Sequence, residues 1–236
     1  DFANDVMSDM ADMGIEKVLV ESLPEFVHPK HFSYSNSPKI EIAIGLESSN
    51  PVVLDKSVNK RLLWSHFVKV CETAHENGAE VKAYVLLKPP YLGERDAIED
   101  AVQSATDAAP YVDKISINPV NVQKNTVVEK LWFRNEWTAP WLWSVVEVLE
   151  RCTDLPAKVY SDPTGGGTRR GAHNCNDCNS KILDALKEHR LGHGNLKGLE
   201  CECRVRWEVL KHQSSYRRNG AEPHGHRRGF SNGRRF

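Results

Sequence analysis

Five short runs rich in β-branched and apolar residues punctuate the chain: 17–21 (KVLVE), 39–45 (KIEIAIG), 80–87 (EVKAYVLL), 113–118 (DKISIN) and 157–161 (AKVYS). Each is bounded by Gly, Pro, Asn or charged residues, which predicts strands. Between the second and third, Leu62, Leu63, His66, Phe67, Val70, Cys71 and Ala74 recur at helical spacing, and Asn77-Gly78 supplies the stop. Ile98, Ala101, Val102, Ala105 and Ala109 repeat the pattern before Pro110. Strand and helix alternate, and the strands are nearly continuous in apolar residues. This predicts an α/β fold with a parallel sheet covered by helices.

In parallel α/β folds ligands gather at the carboxyl ends of the strands, where loops vary on a rigid frame. Those ends carry Glu21-Ser22, Glu47-Ser48-Ser49-Asn50, Lys88-Pro89-Pro90 and Asn118-Pro119-Val120-Asn121. Together they form a ring of hydrogen-bonding groups with one cation, in which a carboxylate such as Glu47 suits a ribose diol. Any one of these residues serves equally as a cap or turn former. No GxGxxG or Walker pattern occurs, which argues against the ordinary nucleotide folds. Residues 126–151 hold Trp132, Trp137, Trp141 and Trp143 with Phe133, near Lys130 and Arg134. Aromatics among basic residues can stack on unpaired bases, but Trp141, Val145 and Leu149 share helical spacing, so most of this set is expected in the core.

Charge divides the chain more sharply than its formal net of -1 suggests. Residues 1–156 hold 15 Lys and Arg against 24 Asp and Glu, whereas residues 157–236 hold 16 against 8. The basic part also contains six of the ten histidines and four of the six cysteines. It is therefore fitted to phosphate, to a metal, or to both. Gly165, Gly166 and Gly167, followed by Arg169 and Arg170, expose backbone N–H groups beside two cations. The segment is either a phosphate or substrate cradle or a linker.

Cys175-Asn-Asp-Cys178 is followed, after 22 intervening residues, by Cys201-Glu-Cys203. Two close pairs around a helix-sized insert fit a tetrahedral thiolate site. Zinc, an iron-sulfur cluster and a metal-free arrangement all remain open, and His173 or His193 is an alternative fourth ligand. No apolar run is long enough to span a membrane and no signal peptide opens the chain, so a cytoplasmic location without disulfides is expected. The organisation expected is an enzyme domain over 1–156, a Gly-rich and cysteine module over 157–212, and a basic, disordered tail over 213–236.

Taken together, GLESSNP, KPPYLGERDAIEDA, ISINPVNVQKNTVVEKLW, DPTGGGTRRGAHNCNDC and CECRVRW resemble the archaeosine synthase radical SAM subunit family. That family is similar to the elongator catalytic-subunit branch of radical S-adenosylmethionine enzymes. The resemblance implies a partial (β/α) barrel that splits S-adenosylmethionine at a [4Fe-4S] cluster. The radical so formed would act on a lysine-conjugated 7-deazaguanine in tRNA. Cleavage releases the lysine remnant as an aldehyde and leaves an amidine, a lyase step performed with a transferase subunit as partner. It further implies cofactor contacts from Glu47, Ser48 and Asn118, and substrate contacts from Lys88, Gly165, Gly166, Gly167, Arg169 and Arg170. The metal module would use Cys175, Cys178, Cys201 and Cys203. No catalytic residue is assigned. The family's three closely spaced cluster cysteines are absent, since only Cys71 and Cys152 precede Cys175. They are expected upstream of Asp1, which would leave this piece inactive alone. The alternative is a non-catalytic tRNA-binding or partner subunit with a zinc module.

Overall fold

The computed structural model describes residues 2–34 and 36–216. Five strands, β1 Lys17–Ser22, β2 Lys39–Glu47, β3 Glu80–Leu87, β4 Lys114–Pro119 and β5 Lys158–Ser161, form one sheet in sequence order, every pair parallel. All five coincide with the sequence runs to within two residues. A parallel pair needs a crossover, and the helices supply it. They are α1 Phe2–Asp12, a single turn α2 Pro51–Val53 that continues as a wider turn to Val58, α3 Trp64–Glu76, α4 Glu94–Ala108, α5 Val127–Phe133, α6 Leu142–Arg151, α7 Asn179–Leu191 and α8 Cys203–Tyr216. The basic segment beyond Tyr216 lies outside the described residues.

The helices cover one face of the sheet. Val81, Ala83, Val85 and Leu87 of β3 and Ile115 and Ile117 of β4 are buried against α3, α4 and α6. The opposite face is polar. Glu80, Lys82 and Tyr84 of β3 alternate with those buried residues, as do Lys114, Ser116 and Asn118 on β4. Helical cover therefore reaches one face only, because side chains at successive strand positions point to opposite sides and here the second set carries charge.

Residues 157–212 are built into the same core. β5 pairs with β4, and Cys178, Ile182, Leu186, Leu199 and Trp207 join the main buried cluster. Of the aromatic stretch, Trp137 and Trp143 are buried, Trp132 and Trp141 are half-buried, and Phe133 is exposed on α5. Among the described residues no helix is long and apolar enough to cross a membrane.

The amino ends of four strands are tied by one ion network. Glu80 accepts from Lys17 at 2.6 Å, Lys39 at 2.7 Å and Lys114 at 3.0 Å, and Lys114 also pairs with Glu41. The hydrogen bonds from Lys17, Lys39 and Lys114 outweigh burial and hold the Glu80 carboxyl well below the usual carboxylate range. A depressed carboxyl stabilises the fold above its unfolded value near 4.5 and loses that contribution as pH falls toward its folded value. Glu80→Gln is therefore expected to flatten the decline of stability below about pH 4.5, read by urea unfolding from pH 7 to pH 3. An unchanged slope would mean that the network contributes nothing in solution.

Candidate functional site: a polar concave face and a four-thiol centre

The uncovered face of the sheet bounds a cavity of about 800 Å³. Its floor and walls include Glu21, Lys82, Tyr84, Ser116 and Tyr160, and its rim at the strand ends includes Asn118, Asn121, Asp162 and Thr164. The Tyr84 hydroxyl donates to Glu21 Oε1 at 2.6 Å, and the Ser116 hydroxyl to Asn118 Oδ1 at 2.8 Å. The Lys82 ammonium lies 4.8 Å from the Tyr84 ring and 5.5 Å from the Tyr160 ring. This is a cleft of hydrogen-bonding groups on rigid strands, a suitable bed for a polar small molecule or a nucleoside. Lys82, Tyr84 and Tyr160 were not singled out from sequence. Their signal was the every-second-residue polarity of EVKAYVLL and AKVYS, which the near-continuous apolar reading passed over.

The residues singled out at the strand ends have different surroundings. Glu47 closes β2 with φ 68°, and Lys60 donates both to its carboxylate at 3.1 Å and to the Gly45 carbonyl. A Cβ at position 45 would meet the Lys60 ammonium at 2.8 Å, so a side chain there would have to shift this pair. Ser48 is fully buried and turned to α4, donating to Asp100 Oδ1 at 2.9 Å. Its neighbour Ser49 is held the same way by Ser104 and Asp107. Asn118 alone of the three expected cofactor contacts lines the cavity.

Lys88 is 5% exposed and locked in a buried network. Its ammonium donates to Glu94 Oε2 at 2.5 Å and to Thr138 Oγ1 at 3.0 Å. The other Glu94 oxygen accepts from the Trp141 N–H at 2.9 Å and the Ser144 hydroxyl at 2.5 Å, and Ser144 in turn accepts from Trp207 Nε1 at 2.8 Å. The chain after β3 is thereby tied to α4, α6 and α8.

The glycine segment is a folded turn. Gly165 and Gly167 have positive φ, Gly167 N–H donates to the Ala172 carbonyl at 2.8 Å, and a Cβ at Gly166 would lie 2.7 Å from Leu183. Arg170 donates to Glu129 at 2.9 Å and to the Val122 carbonyl at 3.2 Å, and its guanidinium lies 5.1 Å from the Trp132 ring. Arg169 points outward, exposed and without an ion pair among the described residues.

The cysteine pairs converge. The sulfurs of Cys175, Cys178, Cys201 and Cys203 all lie within 4.8 Å of one another, with Cys175–Cys178 and Cys175–Cys201 at 3.5 Å and Cys178–Cys203 at 3.6 Å. Sulfurs about 2.3 Å from a tetrahedral ion stand nearly that far apart, so the quartet fits a metal. Trp143 Nε1 donates to Cys203 Sγ at 3.3 Å and Asn174 Nδ2 to Cys178 Sγ at 3.6 Å, which favours thiolate charge. Burial opposes ionisation of Cys175, yet hydrogen bonds from Cys201, Cys178 and Cys203 bring its thiol down to about 7. Neither His173, which bonds the Gly171 carbonyl, nor His193 joins the quartet. Cys71 and Cys152 are isolated core thiols that burial pushes up to about 12 and about 11.

A parallel α/β sheet with helices on one face, a polar concave face on the other and a four-thiol centre defines the class: an α/β protein with the fold of a solved Elp3. The archaeal Elp3 of Methanocaldococcus infernus, solved with an N-terminal deletion, matches it with a TM-score of 0.51 at 15% identity, over 78% of this chain and 42% of that one. No family model matches the chain. Archaeosine synthase subunit beta of Methanosarcina acetivorans is 41% identical over 209 residues, which is 84% of this chain and 60% of the relative. The protein of the same name from Thermococcus kodakarensis is 44% identical over 196 residues, 81% of this chain and 58% of the relative. The chain is thus similar to archaeosine synthase subunit beta from two archaea and spans about three fifths of the length of these curated relatives.

Proposed function

We propose that the protein carrying this chain acts in archaeosine formation as a radical S-adenosylmethionine lyase. In this reading it cleaves a lysine-conjugated 7-deazaguanine of tRNA to the amidine, alongside a transferase subunit. The observation that carries the reading is the concave face, a cavity of about 800 Å³ walled by hydrogen-bonding side chains on parallel strands, in a chain whose relatives bear the archaeosine synthase name. Asn118 and Thr164 at the rim offer polar contacts to the nucleoside of the cofactor, whereas Glu47, paired with Lys60 outside the cavity lining, anchors the end of β2. Lys88, Gly165, Gly166, Gly167 and Arg170 hold the surrounding loops in place, and the exposed Arg169 contacts tRNA phosphate. The four cysteines hold one structural metal ion, zinc in this reading. Cys71 and Cys152 are single and buried, so the three thiolates of a [4Fe-4S] cluster come from outside this chain. That cluster, when bound, supplies the electron for cofactor cleavage; the residues described here bind and orient.

The test is to reconstitute the complete protein with its cluster and follow 5'-deoxyadenosine, together with the modified base by mass spectrometry. Production of 5'-deoxyadenosine from S-adenosylmethionine, with amidine formed on tRNA carrying the lysine conjugate, is expected. No 5'-deoxyadenosine above background, with salt-sensitive tRNA binding retained, would make the protein a non-catalytic tRNA-binding subunit instead.

A further inference from the structure

Three lysines stand side by side on the concave face, and their neutralisation is unequal. Lys82 of β3 is in register with Lys114 of β4, and Lys114 with Lys158 of β5. Lys114 is matched by Glu41 and Glu80, Lys17 and Lys39 share Glu80, and Arg190 at the rim pairs with Asp162. No carboxylate among the described residues lies within 4.0 Å of the Lys82 ammonium. It is flanked by the Tyr84 and Tyr160 rings, and its register partner on β2 is the buried Ala43. Glu21, in register with Ala43 on the far side, lines the same cavity and gives only Oε1 to the Tyr84 hydroxyl. Tyr84 thus stands between a cation without a carboxylate and a carboxylate with an oxygen to spare.

A cation held between two tyrosines in a partly desolvated cleft, with no carboxylate beside it, keeps its charge available to an anionic ligand, and such groups mark binding sites. Two opposite charges bridged by one tyrosine match a ligand end that is itself both anion and cation. We propose that Lys82, Tyr84 and Glu21 form a subsite for a zwitterionic α-amino acid group, with Lys82 taking the carboxylate and Glu21 the ammonium. The inference rests on the enzymatic reading above, in which two ligands bear such a group: the methionine part of S-adenosylmethionine and the lysine arm of the modified base.

Direct binding to the complete, metal-loaded protein separates the two sources and needs no turnover. The probes are S-adenosylmethionine against its decarboxylated analogue, and a 7-deazaguanine nucleoside with the lysine arm against one whose arm lacks the carboxylate. One pair is expected to show a preference of about 10- to 100-fold for the carboxylated member, the range of a charged hydrogen bond. Lys82→Met should abolish that preference and Lys82→Arg should largely keep it. Preference confined to the first pair assigns the subsite to the cofactor, and preference confined to the second assigns it to the substrate. If wild-type protein shows no preference in either pair, or Lys82→Met retains it with an unchanged unfolding midpoint, the proposal is overturned. Failure of the enzymatic reading shows separately, as absence of 5'-deoxyadenosine.

Discussion

Replacing Cys178 or Cys203 by serine is expected to empty the thiol centre and lower the unfolding midpoint by roughly 10–20 °C, the scale at which losing a structural metal is felt in a chain of this size. The reason is where the quartet sits. Cys178 is 3% exposed at the start of α7, Cys203 begins α8, and the Cys203 sulfur accepts from Trp143, itself 1% exposed. Between Leu191 and Cys203 the chain forms no regular element, so its path depends on the buried Leu196 and Leu199 and on any ion the four thiols hold. Without the ion, four thiols converge on a space that none of them fills. Metal analysis of the purified protein with calorimetry before and after chelation measures both effects. Wild-type protein that is metal-free and insensitive to chelator would refute a metal centre, and with it the structural role given to the four cysteines.

The second large effect is expected at Glu94. Glu94→Leu should cost about 3–5 kcal/mol, because it strands the buried Lys88 ammonium and deprives the Ser144 hydroxyl and Trp141 N–H of their acceptor. The double variant Glu94→Leu/Lys88→Met should recover most of that loss, since removing both charges leaves less uncompensated than removing one. Urea unfolding of the two singles and the double gives the coupling. Additive losses would show that the pair does not act as a unit.

Much of the frame is legible in the residues alone. Short β-branched runs closed by Gly, Pro, Asn or charge encode strand position locally, so all five strands fall where the sequence sets them. Helical spacing from Leu62 to Ala74 and from Ile98 to Ala109 encodes α3 and α4 equally locally, although each helix starts or ends a few residues away from the periodic stretch. The cysteine pairs are legible because metal binding requires that residue type in close pairs, whatever the surrounding fold.

The parts that escaped are those in which one residue type serves two ends. Lys88 and Ser48 follow strand ends, where ligands bind, and nothing local distinguishes a lysine facing substrate from one sealed against a glutamate six positions on. Arg170 likewise looks free until the chain after β4 and α5 bring the Val122 carbonyl and Glu129 to it.

Sequence by itself determined the order of strands and helices, the parallel α/β class and the two cysteine pairs that converge, because each is written in spacing along a few neighbouring residues. The tertiary structure alone decided which face of the sheet the helices would cover. It thereby decided that Lys82, Tyr84 and Tyr160 would share an open cavity while Ser48 and Lys88 were buried. A strand has two faces by its own geometry, but which one meets water depends on helices many residues away, and that is a property of packing.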